Sequence, residues 1–239
     1  MISEWYGVLE EIRKARVTLG NPKVVWYRGQ SSSAWKLIPS LHRQPNGLKK
    51  ERDLFNEFQK SAARLFKKRD NDWETLFDMQ HYGVPTRLLD WTEALGVAVA
   101  FAILDHHPSH GEPSLWVLDP VRLNRYSGIR EVKEIPSPAF EYQTVYWEKI
   151  PFAAKFPIAV ASLYQNDRMF AQRGTFTVHG SDKGAINEIC PDAVVEVRIP
   201  ISASDGAKEF LDYADLNPYR IYPDIVGMAR HIRRKHLGE

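Results

Sequence analysis

The sequence contains a single cysteine, Cys190, in 239 residues. One thiol cannot form an internal disulfide, and it excludes a zinc site built from several cysteines. The sequence also has no large excess of charge of one sign. It contains 32 Lys and Arg residues and 30 Asp and Glu residues, which gives a formal net charge of +2. That balance excludes a strongly basic nucleic-acid-binding chain and an acidic disordered tail.

Long apolar segments are missing too. The longest apolar run, Ala94 to Leu104, is too short to cross a bilayer. Met1 to Glu10 carries acidic and aromatic side chains instead of the basic and then apolar pattern of a secretory signal. We therefore expect a cytoplasmic protein that makes no membrane contact. The sequence also lacks the phosphate-binding glycine loop of the Walker type and the glycine fingerprint of dinucleotide-binding folds.

Hydrophobic periodicity predicts helices mostly early in the chain and strands mostly late. The clearest helix is amphipathic and runs from Lys49 to Lys68, and Ala94 to Leu104 is apolar enough to predict a buried central helix. Further helices are predicted at Trp5–Arg16, Asp72–Met79, Lys208–Tyr213 and Ile225–Lys235. Strands are predicted at Val24–Tyr27, Trp35–Leu41, Ser114–Leu118, Phe156–Ala161, Gly174–Val178 and Ala193–Ile199. We expect one α+β domain over residues 1–239, with a mixed sheet, N-terminal helices and a core of about 21–235.

Tyr27-Arg28-Gly29, at the end of the first predicted strand, is the first candidate functional cluster. The planar guanidinium of Arg28 suits a phosphate or a carboxylate, and Gly29 would let a ligand approach the backbone. The alternative is a buried arginine that pairs with an acid such as Asp90. The local pattern does not decide between these two interpretations.

A second cluster surrounds a turn at Gly83 and Pro85. Gln80, His81 and Tyr82 precede the turn. His81 is a candidate general base, because the unperturbed pKa of histidine lies near the neutral range. An ordinary hydrogen-bonding role is the alternative, since no serine or cysteine nucleophile in a recognisable motif accompanies His81.

After this turn, Arg87 is followed by Asp90-Trp91-Thr92-Glu93, which has the spacing of a capping box at a helix start. An ion pair between Arg87 and Asp90 beside a capped helix is one interpretation. The other is ligand binding, because the free backbone N–H groups of that helix end would attract a phosphate.

Two further groups of basic side chains are possible sites. His106, His107 and His110 lie among loop residues and lack both a His-Glu-x-x-His pattern and a cysteine partner, so we expect a solvated loop and no metal site. Arg233-Arg234-Lys235-His236 is expected to place favourable charge at a helix C-terminus, with a nucleic-acid patch as the alternative.

Arg168 and Gln172-Arg173-Gly174-Thr175-Phe176 form a third cluster, ahead of a predicted strand. Together with Tyr27–Gly29 and Gln80–Thr92, this pattern resembles the FRG domain, a family named for an aromatic-Arg-Gly motif. The other residues that carry the resemblance are Ala98, Phe101, Ala102 and Ile221–Ala229. It covers nearly the whole chain and identifies a single FRG-like domain. The family is similar to domains found among prokaryotic toxin and anti-phage defence genes, which implies such a role here.

The order of the clusters has a more distant similarity to NAD-using ADP-ribosyltransferases. Those enzymes often place an Arg or His after an aromatic residue on the first strand, a Ser/Thr element before a helix with Ala and Phe, and a Glu or Gln before a later strand. Arg28, Thr92 and Gln172 fall in that order here. The similarity implies an ADP-ribosyltransferase-like fold with NAD as substrate. Arg28 would hold a pyrophosphate or ribose, Thr92 would brace the site, and Gln172 would hydrogen-bond to a ribose hydroxyl.

The same similarity assigns roles to the remaining cluster residues. Those expected to be catalytic are Arg28, Thr92, Gln172 and His81. Those expected to bind the nucleotide are Tyr27, Gly29, Gln80, Tyr82, Arg87, Asp90, Trp91 and Arg168, and either Tyr82 or Trp91 would stack on nicotinamide. Because Gln172 is neutral, a carboxylate from elsewhere must stabilise an oxocarbenium-like ribose, and Glu141 and Glu148 are the candidates.

Two classes of function follow from these clusters. The first is an NAD-dependent ADP-ribosyltransferase or NAD glycohydrolase, whose acceptor would be a protein, a nucleic acid or water. The second is a non-catalytic sensor module that binds a nucleotide or a nucleic-acid end. Such binding would depend on salt and would weaken on loss of Arg28 or Arg87.

Overall fold

The computed structural model describes residues 2–65, 69–163 and 166–238. Its strands are β1 (Trp26–Gln30), β2 (Leu88–Thr92), β3 (Ser114–Leu118), β4 (Lys133–Ile135), β5 (Ile158–Ser162), β6 (Gly174–Val178) and β7 (Val194–Arg198). Within the described ranges these strands form one seven-stranded sheet in the order β4-β5-β6-β2-β1-β3-β7. The pair β4–β5 is parallel and the other neighbouring pairs are antiparallel. The predicted mixed sheet is therefore confirmed.

Helices of very different length surround this sheet. They are α1 (Ile2–Thr18), α2 (Ser40–Arg43), α3 (Gly47–Ala62), α4 (Asp72–His81), α5 (Leu95–Ile103), α6 (Pro120–Arg125), α7 (Asp167–Gln172), α8 (Ile186–Ile189), α9 (Ser204–Tyr213), α10 (Pro218–Ile221) and α11 (Ile225–Leu237). Short 3-10 turns lie at Pro108–His110, Pro191–Ala193 and Ile201–Ala203, and a π-helical turn lies at Thr144–Glu148. The chain is one α+β domain, as predicted. In the described part of the chain, no helix has both the length and the apolar character of a membrane span.

The apolar helix α5 packs directly on β1, and a glycine makes this close approach possible. A Cβ atom on Gly29 would lie 1.8 Å from the carbonyl oxygen of Ala98 and 2.8 Å from the backbone nitrogen of Ala102. Ala98 is fully buried, and α5 is the predicted central helix. Helix backbone therefore occupies the space that a side chain at position 29 would need.

The strands β1 and β2 lie side by side but pair at a single position, Tyr27 with Thr92. By contrast, β1 pairs with β3 along its whole length, and β2 pairs with β6 along its whole length. The two central strands therefore diverge beyond Tyr27 and Thr92. The side chain of Arg28 bridges the gap, because its Nη1 donates to the backbone carbonyl oxygen of Asp90 at 2.6 Å.

The structure corrects the sequence-based prediction of a helix start at Asp90. Asp90, Trp91 and Thr92 lie in β2, and α5 begins only at Leu95 without a side-chain cap. Pairing with β6 satisfies the backbone of these residues, so tertiary contacts override the local capping pattern.

The segment Trp35–Leu41 forms no strand. Residues 35–39 form turns and irregular backbone, and α2 begins at Ser40. Pro39 lacks the backbone N–H that a central strand needs. The long predicted helix is also shorter in the structure, since α3 ends at Ala62, and Phe66, Lys67 and Lys68 lie outside the described residues.

Candidate functional site

A cleft opens where β1 and β2 diverge, and it brings together most of the residues singled out in the sequence. The predicted site residues that line it are Tyr27, Arg28, Gly29, Gln80, His81, Asp90, Trp91, Thr92, Arg168 and Gln172. The other lining residues are Phe77, Phe101, Asn166, Met169, Gly174 and Phe176. Elements far apart in the chain therefore build one cavity, with a volume of about 210 Å³.

Arg28 carries an unused hydrogen-bond donor in this cleft. Its Nε atom is buried and has no hydrogen-bond partner among the described residues. Its Nη1 lies 3.9 Å from the carboxylate of Asp90, too far for a normal hydrogen bond. Burial lowers the pKa of the Arg28 guanidinium, and the nearby Asp90 charge opposes this shift. A desolvated cation with a free donor favours binding of an anion.

Asp90 is the one carboxylate among the described residues that line the cleft. Its Oδ2 accepts a hydrogen bond from Gln80 Nε2 at 2.9 Å, and Gln80 Oε1 accepts one from Thr86 Oγ1 at 2.6 Å. This chain of contacts orients a carboxylate whose side chain remains 55% exposed. Glu141 and Glu148, the acids expected from the sequence, are exposed and lie outside the lining, so that expectation is corrected.

Thr92 ties β2 to the end of α7. Its Oγ1 donates to the backbone carbonyl oxygen of Gln172 at 2.6 Å and accepts from the backbone N–H of Ala94 at 3.0 Å. The Gln172 side chain in turn donates through Nε2 to the carbonyl oxygen of Ile221 at 3.1 Å. Thr92 therefore links β2 to α7, and Gln172 links α7 to α10.

His81 lines the cleft one residue after Gln80, at the end of α4. Burial lowers the pKa of His81, and the positive charge of Arg168 lowers it further. The imidazole is therefore neutral at pH 7 and can accept a proton. Tyr82 contacts the His81 ring edge-on at 4.7 Å but is 59% exposed and outside the lining. The expectation that Tyr82 stacks on a ligand in this cleft is corrected, because its ring lies on the surface.

Trp91 lines the cleft but offers no free face for stacking. Its side chain is 3% exposed, belongs to an apolar core cluster, and donates its indole N–H to Thr177 Oγ1 at 3.1 Å. The aromatic walls are instead Phe77, Phe101 and Phe176, and the Phe77 and Phe176 rings stack at 4.8 Å. Phe77 lies in the helix predicted over Asp72–Met79 but is not among the residues that the sequence singles out for the site. Helical spacing could have identified Phe77. It lies three residues before Gln80 and four before His81, and residues at these spacings share one face of a helix.

Arg168 supplies a second cation to the cleft. Its guanidinium lies over the ring of Tyr222 at 4.7 Å, and that ring contacts Phe101 edge-on at 5.9 Å. Tyr222 appears in the sequence only as part of the closing FRG-like segment. Its position beside Arg168 is a tertiary contact that spacing along the chain does not reveal.

Arg87 does not belong to the cleft, which corrects its expected role in binding the nucleotide. Its Nε and Nη2 atoms each lie 2.5 Å from an oxygen of Glu51, and both side chains are buried. Burial lowers the pKa of Arg87, but the hydrogen bonds that Arg87 donates to the Glu51 carboxylate outweigh this effect, so the net shift of the pKa is upward. The expected pair with Asp90 is absent because side chains three apart on extended backbone point to opposite faces.

The first turn of α5 packs against an apolar side chain. A Cβ atom on Gly96, in its first turn, would lie 2.4 Å from Leu216 Cδ1. Leu216 therefore contacts the first turn of α5, close to the helix end that the sequence suggested for an anion.

The histidine-rich loop after α5 makes local contacts. His106 Nε2 lies 2.7 Å from the carbonyl oxygen of Gly111, and His107 Nδ1 lies 2.8 Å from Ser109 Oγ. In the part of the chain that the structure describes, no group of three or more His, Cys, Asp or Glu side chains is arranged to hold a metal ion.

The part of the chain that builds β1, α4 and β2 has a known counterpart. Residues 23–111 match the FRG domain family. This FRG segment contains Arg28, Gln80, His81, Asp90 and Thr92. The match ends before α7 and β6, which supply the opposite wall of the cleft. No curated protein matches the chain, and no solved structure matches it.

Proposed function

We propose that the cleft binds NAD, or a related nucleotide, and cleaves it at C1 of the nicotinamide ribose. The observation that supports this most strongly is the pair formed by Arg28 and Asp90. A half-buried guanidinium with an unused Nε donor suits a pyrophosphate or ribose oxygen, and a carboxylate 3.9 Å away suits a developing positive charge.

The chemistry assigns a part to each side chain. The bond between ribose C1 and the nicotinamide nitrogen breaks, and its electron pair leaves with nicotinamide. Asp90 stabilises the oxocarbenium-like ribose that remains. Water or an acceptor hydroxyl then attacks C1 and gives its proton to the neutral imidazole of His81. With water, the products are ADP-ribose, nicotinamide and one proton.

The size of the cavity indicates which end of the nucleotide enters. A volume of about 210 Å³ lies below the roughly 300–1,000 Å³ of most small-molecule sites. The nicotinamide ribose therefore occupies the cleft against Phe77, Phe101 and Phe176, and the adenosine end extends outside. Arg28 and Arg168 bind the pyrophosphate at the boundary.

The FRG match is the basis for proposing a biological setting. The family resemblance supports an effector of the toxin or anti-phage type that acts in the cytoplasm, with a protein, a nucleic acid or water as acceptor.

Proton NMR of the purified chain incubated with NAD tests this function by following free nicotinamide. We expect release by the native chain, and its loss in Arg28→Gln and Gln172→Ala with unchanged melting temperatures. Arg13→Gln is the matched control, because Arg13 is an exposed arginine of α1 that pairs with Glu10 outside the cleft. That variant should release nicotinamide at the native rate.

Two results would contradict the proposal. No nicotinamide release by the native chain would exclude cleavage of NAD. A melting shift with ADP-ribose that Arg28→Gln abolishes, in a chain that releases no nicotinamide, would identify a nucleotide sensor instead.

A further inference from the structure

A second cavity lies at the opposite end of the β2–β6 pair from the cleft. In that pair, Thr92 is aligned with Gly174 at the cleft, and Leu88 is aligned with Val178 at the other end. Arg87, just before β2, and Ser181, just after β6, line the second cavity. Its volume is about 410 Å³, within the roughly 300–1,000 Å³ range of small-molecule sites.

The charge of this cavity is strongly positive. Its cationic lining residues are Lys49, Arg52, Arg87 and Lys149, and the one acidic lining residue among those described is Glu51. The Glu51 carboxylate is already engaged, because it accepts from Arg87, from the hydroxyl of Tyr142 and from the indole N–H of Trp147. Glu51 and Arg87 neutralise each other, so three cations remain.

Among the described residues, none of these three cations has an acidic partner. Within the ranges that the structure describes, Lys49, Arg52 and Lys149 form no ion pair and donate no side-chain hydrogen bond. Arg52 is held over the ring of Trp147, with its guanidinium carbon 5.2 Å from the ring centroid. This stacking orients the guanidinium but leaves its donors unused. Three uncompensated cations around one cavity favour a multiply charged anion.

We propose that this cavity binds the phosphate group of a phosphorylated small molecule, at a site separate from the cleft. Arg52 supplies a planar pair of donors for phosphate oxygens, and Lys49 and Lys149 supply point charges. Trp147 forms an aromatic wall beside the phosphate. The shared chemistry of the ligands is a phosphate group, whether free or carried on a nucleoside.

Isothermal titration at low salt tests the site with two probes, inorganic phosphate and AMP. We expect at least one probe to bind, and Arg52→Gln to weaken that binding about tenfold, the effect of losing one charge-assisted contact. Lys149→Asn is the second variant. Lys149 has a positive φ of 64°, which asparagine tolerates better than most residues, so the backbone is preserved while the charge is removed.

Lys50→Gln is the matched control, because Lys50 is an exposed neighbour on α3 that does not line the cavity. Binding of AMP alone would assign a nucleotide site, and binding of both probes would assign a general phosphate site. The proposal is overturned if neither probe binds, if Lys50→Gln weakens binding as much as Arg52→Gln, or if Arg28→Gln alone abolishes it. The last result would assign the phosphate to the cleft.

Discussion

Replacing Arg87 by methionine is expected to destabilise the fold, because the Glu51 carboxylate would stay buried without its cation. The two side chains are 8% and 5% exposed, and their atoms meet at 2.5 Å. Removing one partner of a buried ion pair costs about 3–5 kcal/mol. Arg87 Nη1 also donates to the carbonyl oxygen of Gly180 at 3.2 Å, which would lose this donor. We therefore expect the free energy of unfolding to fall by about 4 kcal/mol.

Urea denaturation followed by tryptophan fluorescence measures this loss. Glu51→Gln and the double variant complete a mutant cycle, and we expect a coupling free energy of about 1–3 kcal/mol between the two positions. Lys36→Met is the control, because it breaks an ion pair with Glu188 in which the side chains are 64% and 48% exposed. That variant should unfold at nearly the same urea concentration as the native chain, because exposed ion pairs contribute little to stability.

The outcome decides whether Arg87 is structural. A loss below about 1 kcal/mol in Arg87→Met would lie in the range of surface substitutions and contradict the buried pair. Strictly additive effects of the two substitutions would contradict the coupling with Glu51. Either result would restore Arg87 as a candidate ligand-binding residue.

Three further predictions concern packing and titration. Gly29→Ala should lower stability by about 3 kcal/mol in thermal unfolding, because its methyl group would collide with α5. Gly7→Ala is the control and should cause no such loss, because a Cβ atom at Gly7 would have no neighbour within 4 Å. Burial and the charge of Arg87 lower the pKa of His42 to about 4 in the folded chain. As the pH falls, His42 therefore takes up its proton at a higher pH in the unfolded chain than in the folded chain. The free energy of unfolding should therefore fall by about 3 kcal/mol between pH 6.5 and 4 in the native chain, and by less in His42→Leu. Equal pH profiles of stability for the two chains would refute this prediction. Burial raises the pKa of Cys190 to about 12, so a thiol reagent should label it only on unfolding, and rapid native labelling would contradict this.

Local sequence patterns predicted the elements whose side chains repeat with a clear period. The strands Ser114–Leu118 and Gly174–Val178 have the predicted bounds, and the buried helix α5 differs from its prediction by one residue at each end. In these segments the local preference and the tertiary contacts agree. The α+β fold class could be predicted for the same reason.

The candidate site was harder to predict because it depends on contacts between distant residues. Asp90 has the spacing of a helix cap, but pairing between β2 and β6 keeps it in a strand. The partner of Arg87 is Glu51, which lies 36 residues earlier in the chain. No local spacing rule connects Arg87 with Glu51, so the interpretation that paired Arg87 with Asp90 was wrong.

The aromatic walls of the cleft show the same limit. Phe77 and Phe176 lie on different elements and meet only in the folded chain, where their rings stack. Local patterns singled out the clusters that contain Arg28, Thr92 and Gln172, but only the resemblance to known enzymes connects these three residues with one another. Their shared location in the cleft is a property of the fold.

Nicotinamide release by Asp90→Asn, measured beside the native chain at saturating NAD, tests the central claim most directly. Asparagine keeps the shape and an acceptor for Gln80 but removes the negative charge. The account predicts that the variant binds ADP-ribose with an affinity close to that of the native chain and releases nicotinamide at least about 100-fold more slowly, a loss typical of a removed charge-stabilising group. Release at the native rate by Asp90→Asn would show that Asp90 does not stabilise the ribose cation and would contradict the proposed chemistry.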